Sequence, residues 1–235
     1  MARGVFPWAT LVQRHPRRES VVSRGKTTPS APEVWIFVEG GGSTREVQAA
    51  LRLGFSNLFT KALGTRRKPS VIVSGGRDQA FKEWQRALKT NPEKLSLLLV
   101  DSEGPVPEGA APWACLQART GDTHWSKPQG TTDDQLHLMV QAMEAWFFAD
   151  RDALLRFYGK DFQPGALPAR QDVENIPKPE LAKALAHASR DTTKGSYTKH
   201  HGFALIGQID PAKLRAASPW AARFFDHLLA LCPAR

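Results

Sequence analysis

The chain has 235 residues, with 32 Lys and Arg against 23 Asp and Glu and a formal net charge of +9. That length supports one generous domain, or one domain with a helical extension, whose core needs neither disulfides nor a structural metal. Cys115 and Cys232 lie too far apart in sequence for a disulfide framework or a zinc motif, and no apolar run reaches the ~18 residues of a membrane span.

Residues 1–30 carry Arg3, Arg14, Arg17, Arg18, Arg24 and Lys26 against one acid, Glu19. They are expected to form a basic, disordered arm, either a passive tail or a contact for phosphates. The amino terminus lacks the apolar segment of a secretory signal, and the expected setting is a reducing cytoplasm with no membrane. Residues 31–235 are expected to form a single domain.

Order begins at Val34-Trp35-Ile36-Phe37-Val38, an unbroken apolar and β-branched run of the kind buried in parallel sheets. It stops at Glu39-Gly40-Gly41-Gly42-Ser43. A helix capped by Ser43 or Thr44 should run to Leu63, because Val47, Leu51, Phe55, Leu58, Phe59 and Leu63 repeat at helical spacing. Residues 70–74 give a second strand and Asp78 to Thr90 a second helix. Leu95 to Val100 gives a third strand, ending in Asp101-Ser102-Glu103. Strand, helix, strand, helix, strand within about seventy residues predicts βαβ units and a parallel sheet with right-handed crossovers.

The rest is less regular. Trp113 to Gly130 reads as irregular. Residues 136–140 read as a fourth strand, with a helix from Thr132 as the competitor. Residues 143–150 and Asp152 to Tyr158 read as helices, the second with Asp150 as its cap. Residues 159–178 and 194–203 read as loops, and helices are expected at 180–189, 211–217 and 219–231.

In an open parallel sheet, ligands bind beyond the carboxyl ends of the strands. Glu39 follows the first strand there, and Asp101 and Glu103 follow the third. Helix capping explains such acids poorly, since glycines follow Glu39 and a Gly/Pro loop follows Glu103. If strand geometry continues, the spacing of Asp101 and Glu103 points both carboxylates one way, where a divalent cation would relieve their repulsion. Mg²⁺ prefers such oxygen ligands. Solvated strand ends are the plain alternative. The Gly40, Gly41, Gly42, Ser43 turn into a helix is a candidate phosphate cradle, or simply a tight turn; it lacks the Lys-Ser/Thr ending of a P-loop.

These residues resemble a family pattern. A strand, a Glu-Gly turn and a helix, followed after two more strands by Asp-x-Glu, resembles the Toprim fold, where the last pair is usually Asp-x-Asp. The stretches MEAWFFAD (143–150) and KGSYTKHHGFALIGQIDP (194–211), with the Val38-Glu39-Gly40 start and Asp101-Ser102-Glu103, resemble DUF4276, a Toprim-related prokaryotic family, over roughly residues 34–230. The resemblance implies an α/β fold with a Toprim-like, mostly parallel sheet and a helical carboxyl-terminal portion. It implies a Mg²⁺-dependent nuclease, with Mn²⁺ able to substitute, acting on DNA or alternatively RNA, and partnered by an ABC-type ATPase in antiphage defence. Glu39 would be the general acid or base and share in metal binding, with Asp101 and Glu103 as ligands.

Two-metal hydrolysis needs further acids, and Glu144 and Asp150 are the candidates, although Asp150 can equally cap a helix. Lys194, Tyr197, Lys199, His200 and His201 form a basic segment suited to a scissile phosphate, Lys199 first, or a solvated loop. His137 is expected to be structural. Trp113, His124 and Trp125 would stack bases or fill the core. The alternative to an enzyme is a Toprim-like adaptor subunit that binds an ATPase or nucleic acid without cutting. A homo-oligomer is compatible with either.

Overall fold

The computed structural model describes Met1 and residues 31–234; the basic arm expected over residues 1–30 lies outside the described residues. Four strands, β1 (Val34–Val38), β2 (Ser70–Val73), β3 (Leu95–Asp101) and β4 (Leu136–Met139), form one all-parallel sheet in the order β2-β1-β3-β4. The crossovers are α1 (Arg45–Leu63), capped by the Thr44 side chain, and α2 (Arg77–Thr90).

Side chains alternate across a strand, so a strand buried on both faces is apolar at nearly every position. Ile36, Val38, Leu97 and Leu99 face one core with α1; Phe37, Leu98, Val100 and Leu138 face the other with α2. The first core is completed by α7 (Lys199–Ile206), α8 (Pro211–Ala217) and α9 (Pro219–Leu231), with Phe224 and Phe225 packed on Phe59. The second is completed by α3 (Pro112–Gln117). Helices α4 (Met143–Phe147), α5 (Arg151–Tyr158) and α6 (Lys178–Ser189) follow β4 around the carboxyl side of the chain.

The strand order determines where a site forms. From β1 the chain steps outward to β2, then crosses back over β1 to reach β3 and β4. The connection that leaves β1, through α1 to β2, and the one that leaves β3, through α3 to β4, run in opposite directions, which opens a crevice at the carboxyl ends of those two neighbours. Val38 pairs with Leu99 across that seam.

Several local expectations change. The segment 194–203 is not all loop, since α7 begins at Lys199 with Thr198 in extended N-cap geometry. Between 113 and 130, Pro112 occupies the first turn of the short helix α3, where its missing N–H costs nothing. Before β4, both competing readings hold in part: Thr132 caps a single 3₁₀ turn, Asp133–Gln135, and the strand follows. The indoles of Trp113 and Trp125 are core residues rather than a base-stacking platform. Trp125 stacks on Phe81 at 4.0 Å and both indoles are buried, while His124 pairs with Asp78 at 3.0 Å. His137 is fully buried in β4, its ring nitrogens 3.1 Å from Arg223 and 3.2 Å from His227, as a structural histidine should be. Among the described residues no helix is long and apolar enough to cross a membrane.

Helix α7 lies close on α1 because Gly54 has no side chain. A methyl group there would overlap the carbonyl oxygen of Phe203 and Cγ2 of Ile206, and Gly54 in turn lies 3.3 Å from where a Cβ on Gly207 would sit. Gly54→Ala should destabilise the protein by about 1–3 kcal/mol, the usual cost of overpacking. An unchanged urea midpoint for that variant would show that the two helices are not held at this distance.

Candidate metal centre

Glu39 lies one residue past β1, but its N–H still donates to Leu99 O at 3.1 Å, which fixes it on the β1–β3 seam. The chain then turns sharply. Gly40, Gly41 and Gly42 have φ of 119°, 83° and 57°, values that side-chain-bearing residues rarely adopt. A Cβ on Gly41 would also come within 2.6 Å of Val73 Cγ1. Gly40 N–H donates to Gly75 O at 2.8 Å, tying this turn to the one after β2.

Asp101 ends β3. Beyond it the strand does not continue as the spacing of the acids suggested, because Glu103 and Gln141 both adopt φ 65°. The ladder with the β4 side persists through the kink: Ser102 N–H donates to Met139 O at 2.9 Å and Glu103 N–H to Gln141 O at 3.1 Å. The carboxylates converge even so. One oxygen each from Glu39, Asp101 and Glu103 lie within 4.8 Å of one another.

Like charges held this close need counter-charge. Arg77, the first residue of α2, donates from Nη1 to Glu39 Oε2 at 2.8 Å and to the Asp101 carbonyl at 2.5 Å. Its Nε and Nη2 grip both oxygens of Asp122, at 2.9 and 2.8 Å. This fork is a geometry that Lys cannot supply. Lys178 pairs with Glu103. The Asp101 carboxylate has no cation in direct contact among the described residues. Its Oδ1 accepts from Met143 N–H at 2.8 Å, and its Oδ2 has no hydrogen-bond partner among them. Burial, then the neighbouring Glu39 and Glu144, hold the Asp101 carboxyl well above the ordinary carboxylate range, with Lys178 opposing. Burial also raises Glu39, against the pull of Arg77.

A cavity of about 380 Å³ opens beside the acids. Glu39, Asp101 and Glu144 line it with the Gly40–Gly42 turn, and Lys199 and His200 contribute cationic and ionisable groups. Glu144 is only 5% exposed. Its Oε1 accepts from Tyr197 Oη at 3.0 Å and lies 3.7 Å from Lys199 Nζ. Tyr197 fits because residue 202 is glycine, where a Cβ would meet its hydroxyl at 2.8 Å. Burial, then Glu144, raises the Tyr197 phenol, so it stays a donor.

Most of the residues singled out from the sequence thus meet at one place. Three do not. Asp150 caps α5 through Ala153 N–H and binds Asp210 N–H at 3.0 Å and Lys213 Nζ at 2.8 Å. Burial pushes its carboxyl up, but Lys213 and those two N–H groups outweigh it and hold it below its usual value. This structural work, away from the carboxylate cluster, replaces the expected metal role. Lys194 lies over the Phe157 ring at 5.1 Å. Ser43 is exposed and leaves the capping of α1 to Thr44. His201 also points elsewhere, with Nδ1 3.1 Å from Tyr158 Oη. Conversely, Arg77, Asp122 and Lys178 went unremarked. Arg77 did carry a signal: a cation in the first turn of a helix opposes the helix dipole and needs a reason to be there.

The donor set fits a hard divalent cation, since all three groups are carboxylates. Opposite ligands of Mg²⁺, at about 2.1 Å from the ion each, stand about 4.2 Å apart, so the cluster need close by less than about 1 Å. The model of the family described as "Domain of unknown function (DUF4276)" matches residues 38–229. No curated protein and no solved structure matches the chain.

A carboxyl whose pKa is raised on folding contributes stability fully below its unfolded value, near 3.8 for Asp101, and loses it as pH rises towards the folded value. At neutral pH and without metal, Asp101→Asn should therefore melt higher than the native protein. The amide can still accept from Met143 N–H. A rise of at least about 2 °C corresponds to 1 kcal/mol in a chain of this length. The gain should vanish near pH 4. A lower melting temperature at pH 7 would mean that the Asp101 charge is stabilised by its surroundings.

Proposed function

The chain belongs to the DUF4276 family, and on that premise we propose that it is a divalent-metal-dependent nuclease of Toprim-like design. The observation that carries the proposal is Asp101: 8% exposed, crowded by Glu39 and Glu103, and without a cation of its own among the described residues. Leaving a carboxylate buried and unpaired is costly, and a bound Mg²⁺ or Mn²⁺ removes that cost.

Asp101, Glu103 and Glu39 would hold the ion. When bound, the ion supplies Lewis acidity to a phosphate oxygen and to the attacking water. The rest falls to side chains. Glu39, raised by burial, takes a proton from the water as its oxygen bonds to phosphorus. The P–O bond to the leaving nucleoside breaks, and that oxygen takes up a proton. Lys199 and His200, on the cavity lining, face the phosphate. Arg77 holds Glu39 in place by pairing with it while anchored to Asp122. Glu144 is the fourth acid of the site, oriented by Tyr197.

A nucleic-acid substrate agrees with the net charge of +9; the preference for DNA over RNA rests on the family resemblance. An ABC-type ATPase partner and a role in antiphage defence rest on the family resemblance alone. One observation favours a second reading, a non-cutting adaptor: Arg77 and Lys178 already offset Glu39 and Glu103. In that case the acids need no metal.

Two measurements separate these readings. Mg²⁺ should raise the melting temperature of the native protein by mass action, and Asp101→Ala should abolish that response. Plasmid, single-stranded DNA and structured RNA, each incubated with Mg²⁺ or Mn²⁺ and the ATPase neighbour, should include a substrate that is cut. Asp101→Ala should cut it about 100-fold more slowly or worse, since even a lost partner of a metal ligand costs up to that much. No metal response and no cleavage in the native protein would leave the adaptor.

A further inference from the structure

The cavity beside the acids has two unlike walls. One carries Glu39, Asp101 and Glu144. The other is apolar, built from Val47, Leu51, Met143 and Phe203. Metal binding and phosphate contact use only the first. Leu51, Met143 and Phe203 are buried in the core and Val47 packs against it, and the face they turn to the cavity suits an apolar group better than a phosphate backbone.

Size points the same way. About 380 Å³ is a chamber roughly 7 Å across if drawn as a cube, narrower than the ~12 Å major groove of a duplex, let alone the duplex itself. It lies at the small end of pockets that enclose whole ligands, about 300–1,000 Å³. The acids are set back from the surface, with Asp101 at 8% and Glu144 at 5% exposure. Each offers the chamber an oxygen without a hydrogen-bond partner among the described residues: Asp101 uses Oδ1 for Met143, and Glu144 uses Oε1 for Tyr197 and Lys199. These open acceptors suit a cation, through which a phosphate can be held, and the apolar lining beside them suits a flat base, so that together they match one nucleotide.

We infer that the chamber takes a single unpaired nucleotide, its base against Val47, Leu51 and Phe203 and its phosphate between the acids and Lys199. The substrate is then a single strand, a frayed end or a looped-out residue rather than a continuous duplex. This rests on the proposed metal for the phosphate contact, since the acids alone repel a phosphate, and on the nuclease reading for cleavage. Enzymes that act at a recessed site commonly draw the nucleotide out of the helix, and an apolar or aromatic surface receives a base without regard to sequence.

Val47 is the residue to change. It stands in the first turn of α1, only partly buried, and contributes nothing to the acid cluster. Val47→Phe fills the chamber and Val47→Ala enlarges it. The probes are thymidine 5′-monophosphate, a short thymidine single strand and its duplex with the complement, all with the full-length protein in Ca²⁺ for binding and Mn²⁺ for cleavage. The native protein should bind the monophosphate and the single strand, and prefer the strand to the duplex by about tenfold, within the worth of one stacked base; Val47→Ala, which removes part of the base contact, should weaken both. Val47→Phe should lose that binding by about tenfold while keeping the thermal stabilisation by Mg²⁺, which shows the acids intact.

The failures are distinguishable. If duplex is bound and cut as well as single strand and Val47→Phe changes neither, the unpaired-nucleotide inference falls and the nuclease stands. If monophosphate and single strand bind as expected but nothing is cut, the inference stands and the nuclease falls. Absence of binding by either probe overturns the inference outright.

Discussion

Glu39, Asp101, Glu103 and Glu144 are brought together at the carboxyl end of a parallel sheet, and their mutual repulsion is the constraint around which the neighbouring structure is arranged. The sheet order creates the proximity: β1 and β3 are neighbours, and each ends in acid. The surroundings then answer the charge unevenly. Arg77 meets Glu39, Lys178 meets Glu103 and Lys199 approaches Glu144, while the carboxylate of Asp101, the most crowded, receives only a backbone N–H among the described residues. Evenly spread counter-charge would make this an ordinary ion-pair network. One buried acid left over gives it the character of a binding site.

The site depends on support from distant parts of the chain. Arg77 holds its pose because Asp122, far along the sequence, takes its other two nitrogens. Lys178 reaches Glu103 from the start of α6, where its own N–H is held by the Gln141 side chain. Gln141 also donates to Glu174 O, and the Glu174 carboxylate accepts from Trp220 N–H at the start of α9. The left-handed residues Glu103 and Gln141 therefore sit in a network that joins the sheet edge to the carboxyl-terminal helices. Backbone strain persists only where surroundings enforce it, and it concentrates at functional sites.

The sheet and its acids were legible because both are local signals. Apolar runs such as 34–38, and 95–100 with Ser96 its one polar residue, are typical of strands covered on both faces, and acids after them with no helix to cap stand out. What stayed hidden depends on partners remote in sequence. Nothing near Asp150 announces Lys213, so capping and metal binding could not be separated there. The start of α7 was obscured by its composition: Gly202 and two histidines weaken the helical pattern, yet Gly202 is required by the Tyr197 hydroxyl above it. Trp113 and Trp125 suit bases or, as tryptophans more commonly do, the core, and their burial with the stack of Phe81 on Trp125 decides for the core.

The central claim is that these carboxylates share a divalent cation. Crystals soaked in Mn²⁺ test it most directly, through the anomalous signal of the ion itself. The expected result is a peak bonded to Asp101 and at least one of Glu39 and Glu103, at about 2.2 Å from their oxygens, with the Lys178 ammonium displaced if Glu103 takes part. An empty cluster at millimolar Mn²⁺, with Arg77 and Lys178 still seated on their acids, would contradict it.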